Sequence, residues 1–467
     1  MKKSKYKSIF QIAVSIILVF IFFSSSVLFI FVRNNIFPLI NGIVLFTFLF
    51  LFKGRYRIYA FIFFSSFTKC MIPINSRIGS FLTWNMLIYL IIILIERIFY
   101  KGKTTKKEWV LIFSYICFVC FALLSDIVNI TNVSLLKFAS AISYLSIPLV
   151  ISIDSKAEKS IPKMLIVFSC SILFMNMFAF TFVYILKPFT NTFINAYLPK
   201  HQAQLNYYQS NYRFSGLTGD PNHNSLYILM AVSLNILFLK RIKKGKALFH
   251  ILNILMLVFG IIGQSKTFLL ATILVFVLLM VEIGKDKSNL PIVFFFSISV
   301  IILSLLLAVS IPTLSRITLR FIDLDDRVGF LEAFTTQRMH IWKNYLSYLS
   351  KNPIKTIIGH GVWPTYKLFN WDYHNSFIQL LWEYGVFGSF FFILYMGRFI
   401  VPKSKNKKFI YYLPSILLLF FGLSLHIIYD EFIYSGLYIY NNLLENDDSV
   451  YGLNGHIELV CYYEINV

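Results

Sequence analysis

His374 stands where a polar stretch turns into an apolar run long enough to enter a membrane, between Trp371 and Gly388. A titratable imidazole at a membrane boundary, beside a helix start, is a place for chemistry on a charged lipid-linked substrate. Asn375 comes next and is a residue type that caps a helix starting one position later. Gly385 and Gly388 follow one turn apart, where small residues let a neighbouring helix come close. A second boundary runs from Arg213 through Asp220, Pro221 and Asn222 into another apolar run. Asp220 suits an N-cap and Pro221 a first helical turn, and taken alone this is an ordinary capped helix start. Two helix starts pointing the same way, with Arg213 beside one, would make an anion site fit for a diphosphate.

Arg338 is the other guanidinium of interest. Phe334, Arg338, Ile341, Trp342, Tyr345, Leu346 and Leu349 recur at helical spacing, so 330–350 reads as an amphipathic helix at a membrane surface. Arg338 falls on its apolar stripe, and His340 and Asn344 fall on its polar side. An inward guanidinium needs a partner such as a phosphate; the alternative is an arginine snorkelling to headgroups. Gly359-His360-Gly361 reads as a turn whose glycines permit positive φ, with His360 as ligand or base the minor alternative. Lys266, after Gln264 and Ser265 at a helix start, either faces the same cavity or snorkels. No pair of histidines or carboxylates has metal-ligand spacing on these segments, so no metal and no cofactor is expected.

These residues must be held by membrane helices. Of 467 residues 58% are hydrophobic, 18% aromatic and only 14% charged, more apolar surface than a soluble domain can bury. The formal charge of +22 suggests nucleic acid, but the Lys and Arg residues gather in short segments between apolar runs, which argues against it. Five cysteines (Cys70, Cys117, Cys120, Cys170, Cys461) offer no disulfide framework. Cys117 and Cys120 lie inside an apolar run and read as packing.

Apolar runs lie near 8–32, 36–52, 57–73, 80–100, 109–125, 133–152, 163–187, 224–239, 247–263, 267–284, 290–311, 376–397 and 409–428. With the N-terminus inside, even-numbered crossings return the chain to the cytoplasm. The clusters Lys53/Arg55/Arg57, Arg97–Lys107, Lys156/Lys159/Lys163, Lys240–Lys246, Lys285/Lys287 and Arg398–Lys408 then all fall inside. The expectation is an all-α polytopic integral membrane protein with about 12–14 transmembrane helices. It comprises a transmembrane bundle over 1–187, an outer loop over 188–223, helices over 224–311, a second outer loop over 312–375, two helices over 376–428, and a tail over 429–467. The tail fits the pattern poorly, and a partial helix through Phe432–Leu444 is the most it suggests.

The ordered set Arg213-Phe-Ser-Gly216, Asp220-Pro-Asn222, Gln264-Ser-Lys266, Arg338-Met-His-Ile-Trp342, Pro353 with Gly359-x-Gly361, and His374-Asn375 with Gly385-x-x-Gly388 resembles the O-antigen ligase/polymerase superfamily over roughly 205–400. The resemblance implies a GT-C-like architecture and a metal-independent, inverting glycosyl transfer at the outer face of the bacterial cytoplasmic membrane. The donor would be an oligosaccharide on undecaprenyl diphosphate. His374 would be the general base, and Arg213 and Arg338 would hold the diphosphate. Lys266 stands where the family commonly has arginine, keeping the charge without the two-pronged fork. Asn375, Asp220 and Asn222 would help bind substrate. Glu383 matches a recurrent acid in the motif, although a structural partner for a neighbouring helix is the other reading.

A surface-polysaccharide repeat-unit polymerase is the leading expectation, with membrane lipid, flippase and chain-length regulator proteins as partners. A ligase transferring the glycan to lipid A–core or another terminal acceptor shares the chemistry. A flippase would instead concentrate ionisable groups near the midplane, where Lys69 and Lys137 are the few candidates, and would often show repeated halves. A non-catalytic scaffold would not need the ordered arginines and histidine.

Overall fold

The structure, a computed structural model, describes residues 2–51, 55–67, 71, 73–75, 79–80, 84–85, 88, 91, 95, 106–129, 135–153, 160–198, 214–242, 245–263, 265–284, 338–362, 374–401 and 409–445. Arg213, Lys69, Cys70, Cys461, most of the run at 80–100, the run at 290–311 and the stretches 312–337 and 363–373 lie outside the described residues, as does the side chain of Lys137. Apart from a short antiparallel ladder of Pro73–Asn75 with Gly79–Ser80, the described fold is helical.

The helices in chain order are α1 (Lys2–Val32), α2 (Ile36–Leu51), α3 (Arg55–Phe64), α4 (Lys106–Val128), α5 (Leu135–Ile153), α6 (Ile161–Phe180), α7 (Thr190–Tyr197) and α8 (Pro221–Leu239). They continue with α9 (Lys246–Ile262), α10 (Lys266–Gly284), α11 (Arg338–Lys351), α12 (Pro353–Ile358), α13 (Ser376–Ile400), α14 (Leu413–Gly422) and α15 (Glu431–Glu445). Among the described residues 5 helices are long and apolar enough to cross a bilayer: Ala13–Val32, Glu108–Val128, Ile161–Ile185, Pro221–Leu239 and Ser376–Ile400. Shorter apolar helices run through Ile36–Phe48, Phe138–Val150, Lys246–Ile262 and Phe409–Gly422. Large apolar side chains such as Phe20, Phe113, Ile254 and Ile393 face outward, as lipid-facing residues do. The chain is a multi-pass membrane protein.

The core is built on α8, which buries nearly every residue from His223 to Phe238 and packs against α6, α9, α10, α14 and α15. Water is absent from a bilayer core, so interior polar groups must satisfy one another. Asn235 on α8 therefore donates to Ser169 Oγ on α6 at 3.0 Å and to Asn253 Oδ1 on α9 at 2.8 Å. Pro148 inside α5 obstructs the local backbone ladder, and the Tyr395 hydroxyl from α13 fills the opening. It accepts from Leu149 N at 3.1 Å and donates to Leu145 O at 2.7 Å.

Two apolar runs end sooner than expected, and the tail forms a helix where the sequence suggested a partial one. The run at 57–73 stops being helical at Phe64, where Ser65 and Ser66 turn their hydroxyls back to Ile62 O (2.8 Å) and Phe63 O (3.2 Å). The run at 409–428 breaks after Gly422 and continues as a loop, Leu423–Asp430. The tail then forms α15, capped by the Asp430 carboxylate accepting from Phe432 N (3.1 Å) and Ile433 N (3.4 Å). Phe432, Ile433, Leu437, Ile439, Tyr440 and Leu443 of α15 are buried in the bundle.

Candidate functional site

The loop Leu423–Asp430 is where the candidate residues meet. Four consecutive carbonyls each accept a side-chain donor from a different position. Leu423 O receives Asn375 Nδ2 at 3.4 Å, and Ser424 O receives Arg338 Nη1 at 2.8 Å. Leu425 O receives Ser376 Oγ at 2.6 Å, and His426 O lies 3.4 Å from His223 Nε2. Ile427 N donates back to Ser376 Oγ at 3.0 Å. A loop folded into a helical bundle must satisfy its backbone in this way or bear the cost of buried unpaired carbonyls.

The same loop brings the starts of α8 and α13 together. Asp220 caps α8, its carboxylate accepting from Asn222 N at 2.6 Å. Asn375 caps α13, its Oδ1 accepting from Phe377 N (2.9 Å) and Ile378 N (3.1 Å). The start of α10 joins them through Ser265, whose hydroxyl donates to Asn222 Oδ1 at 2.6 Å and accepts from Phe268 N at 3.1 Å. Lys266, half-buried, is the first residue of that helix. Several positive helix ends thus converge near one loop, an arrangement that favours anions.

His374 is half-buried at the head of α13 and has φ of 46°, the left-handed region that a non-glycine residue adopts at a cost. Its ring stacks on that of His426 with centroids 5.6 Å apart and planes 25° apart. The His426 ring is in turn 6.3 Å from that of His223. Arg338 begins α11. Burial lowers the affinity of its guanidinium for its proton, and the Asp220 carboxylate opposes that shift. Its Nη1 donates to Ser424 O, and a guanidinium has five N–H groups, so the fork retains capacity for an oxyanion.

Glu383 is fully buried two turns into α13. Its Oε1 accepts from Gln379 Nε2 at 3.0 Å, and its Oε2 accepts from the Tyr429 hydroxyl, which also bonds to Tyr384. It ties α13 to the far end of the loop Leu423–Asp430. Gly385 breaks α13 with φ of 65°, and a Cβ there would lie 2.3 Å from Ile357 O. Its role is therefore to admit the end of α12 at Ile357 together with the turn that starts at Gly359. His360 N and Gly361 N donate to the freed carbonyls of Trp382 (2.7 Å) and Glu383 (3.1 Å). Ser125 Oγ on α4 also donates to Glu383 O at 2.8 Å, and Asn129 Nδ2 donates to Gly359 O at 3.0 Å.

His360 is buried in that turn and lies flat on Trp382, with centroids 3.9 Å apart and planes 4° apart. Burial holds its imidazole down at about 4, partly countered by the Trp382 carbonyl and reinforced by Lys355. This is a packing role. On α11, Tyr345 and Leu349 bury against Ile378 and Trp382. Leu346 is 49% exposed, and His340 and Asn344 are exposed as well.

The structure thus brings Arg338, Asp220, Asn222, Asn375 and His374 around one loop, with Lys266 attached through Ser265, and joins Glu383 to the far end of that loop through Tyr429. His426, His223 and Ser424 escaped the sequence reading. The available signal was Ser424-Leu-His426 near the end of an apolar run, where polar residues ask for a reason. Among the described residues no group of His, Cys, Asp and Glu is arranged to hold a metal ion. No family model matches the chain, and a search of curated proteins finds no match.

Proposed function

We propose that the chain is an inverting glycosyltransferase of the O-antigen ligase/polymerase type, acting as a repeat-unit polymerase for a surface polysaccharide. In this reading the fold is GT-C-like, the N-terminus is cytoplasmic, and the loop Leu423–Asp430 lies at the outer face of the cytoplasmic membrane. The donor is a glycan on undecaprenyl diphosphate, and the acceptor is the terminal sugar hydroxyl of another lipid-linked unit. His374 accepts the hydroxyl proton as the new C–O bond forms. The bond from the anomeric carbon to the diphosphate breaks, and its electron pair leaves on the diphosphate. Arg338 and the helix starts at Pro221 and Ser376 stabilise that leaving charge, with Arg213 expected as the second guanidinium. Lys266 and Asn222 lie on the side where the donor phosphates or sugar would be held.

The observation that carries the reading is the row of carbonyls at 423–426, which gathers Arg338, Asn375, Ser376 and His223 around the stacked ring of His374. The test is a gel of cell-surface glycan from a deletion strain complemented with wild-type chain or with His374→Ala. Deletion should leave one repeat unit on the final acceptor, wild-type chain should restore long chains, and His374→Ala should insert normally yet restore none. Undelivered long chains would indicate a ligase. Long chains made by His374→Ala would remove this residue from the mechanism.

A further inference from the structure

The pair α11–α12 leaves apolar side chains outside its own packing. Tyr345 and Leu349 of α11 bury against α13, whereas Ile354 and Ile357 of α12 are 67% and 45% exposed. These isoleucines do not sit on a loose segment. Thr356 Oγ1 donates to Leu349 O at 2.6 Å and Asn352 Nδ2 to Tyr348 O at 2.8 Å, which fixes α12 on the end of α11. Ile357 O lies against the break in α13 at Gly385. Lys355 Nζ donates to Asn129 Oδ1, and Asn129 Nδ2 donates to Gly359 O, just past the end of α4.

These anchors set the height of α12. Both α4 and α13 are long and apolar enough to cross a bilayer. Their exposed apolar residues include Leu124, Ile127 and Val128 at the end of α4, and Val386 and Phe387 just beyond Gly385. So α12 lies level with side chains that face lipid. The backbone beside it is also built for a place without water. Gly359 N donates to Lys355 O (2.7 Å), His360 N and Gly361 N to the carbonyls of Trp382 and Glu383, and Val362 N to the Asp126 carboxylate (2.8 Å). Every N–H from Gly359 to Val362 is thus bonded within the protein, as irregular backbone at membrane depth must be. Arg338–Val362 contains no acid, and Lys343 and Lys351 are exposed, a balance that suits phosphate headgroups.

We propose that α12 is seated in the bilayer, with Ile354 and Ile357 among the acyl chains at the face where α4 ends and α13 begins. Lipid then covers the apolar surface that the protein leaves open. This inference goes beyond the transferase reading and does not rest on it. Its consequence for the candidate site is mechanical. The 14 residues of α11, about 20 Å of helix, connect the lipid contact at α12 to Arg338 at the loop Leu423–Asp430.

The experiment places a spin label, carried on a non-natural amino acid, at Ile354 or Ile357 of the full chain in lipid nanodiscs. A label at Asn344, on the polar side of α11, is the aqueous reference. Molecular oxygen, which concentrates in lipid, and a water-soluble nickel chelate are compared as relaxing agents. At 354 and 357 the ratio of oxygen to nickel relaxation should exceed the ratio at 344 severalfold. A ratio at 354 and 357 equal to that at 344 would overturn the proposal. Shielding of both labels from both agents would also overturn it, because protein rather than lipid would then cover them. Should a labelled chain not insert, the unmodified chain is irradiated with a phospholipid that carries a diazirine high on its acyl chain. Cross-links should map to the peptide containing 353–358, and cross-links on α4 and α13 with none on that peptide would equally end the proposal.

Discussion

A histidine is what its surroundings make it, and two of them here are put to opposite uses. His374 is held in a left-handed backbone conformation at the head of α13, half-buried and against another imidazole. Such strain persists where neighbouring structure over-determines it, and it clusters at working sites. His360 is the opposite case, a neutral ring lying flat on Trp382 with burial pushing its affinity for a proton down to about 4. An unfolded histidine titrates near 6.5, so the unfolded chain binds the proton first as pH falls. His360 therefore contributes full stability above about 6.5, and this is lost progressively as pH falls through about 4. Replacing it with glutamine should flatten the fall of the thermal midpoint over that window, removing on the order of 2 kcal/mol of pH dependence after allowing for solvent screening. Parallel pH profiles for wild-type and His360→Gln chains would show that the ring titrates normally. Both glycines flanking His360 were legible as positive-φ positions, but its stacking partner, twenty-two residues on by number, was not.

Elements show most plainly what the chain's pattern could and could not say. Helix caps were legible because they are local: Asp220 with Pro221, and Asn375 before Ser376, each act within a few residues. Breaks were not, because their causes are distant. Gly385 in an apolar run looks like a packing position, and only the arrival of Ile357 and the turn that starts at Gly359 makes its left-handed φ worthwhile. The run at 409–428 looks like one span, yet it ends at Gly422 because the loop after it is held by side chains from α8, α11 and α13. Pro148 in α5 belongs to the same class. Its helix survives because the Tyr395 hydroxyl fills the interrupted ladder on both sides. Tyr395→Phe leaves Leu149 N and Leu145 O facing each other across a dry gap. It should cost about 1–3 kcal/mol, read as a lowered thermal midpoint in detergent. An unchanged midpoint would mean that the helix closes without the hydroxyl.

For the molecule as a whole, composition alone made a polytopic helical membrane protein the reading, and the helices that are long and apolar enough to cross a bilayer agree with it. The arrangement of basic clusters gives the proposed orientation. Of the proposed site, the arginine, the histidine and the two caps were visible as residue types at helix boundaries. The segment that unites them was not, since it follows in a stretch with no charge before Asp430 and with its polar residues interspersed among apolar ones. The central claim is that this convergence transfers a glycan from a lipid diphosphate. The direct measurement is made on purified chain in nanodiscs supplied with an undecaprenyl-diphosphate-linked repeat unit, following chain length and released undecaprenyl diphosphate together. The account predicts that both rise in step for the wild-type chain, that His374→Ala abolishes both, and that Arg338→Lys slows both by about tenfold or more. Lengthened chains made at the wild-type rate by His374→Ala, or no diphosphate lipid released by the active wild-type chain, would contradict it.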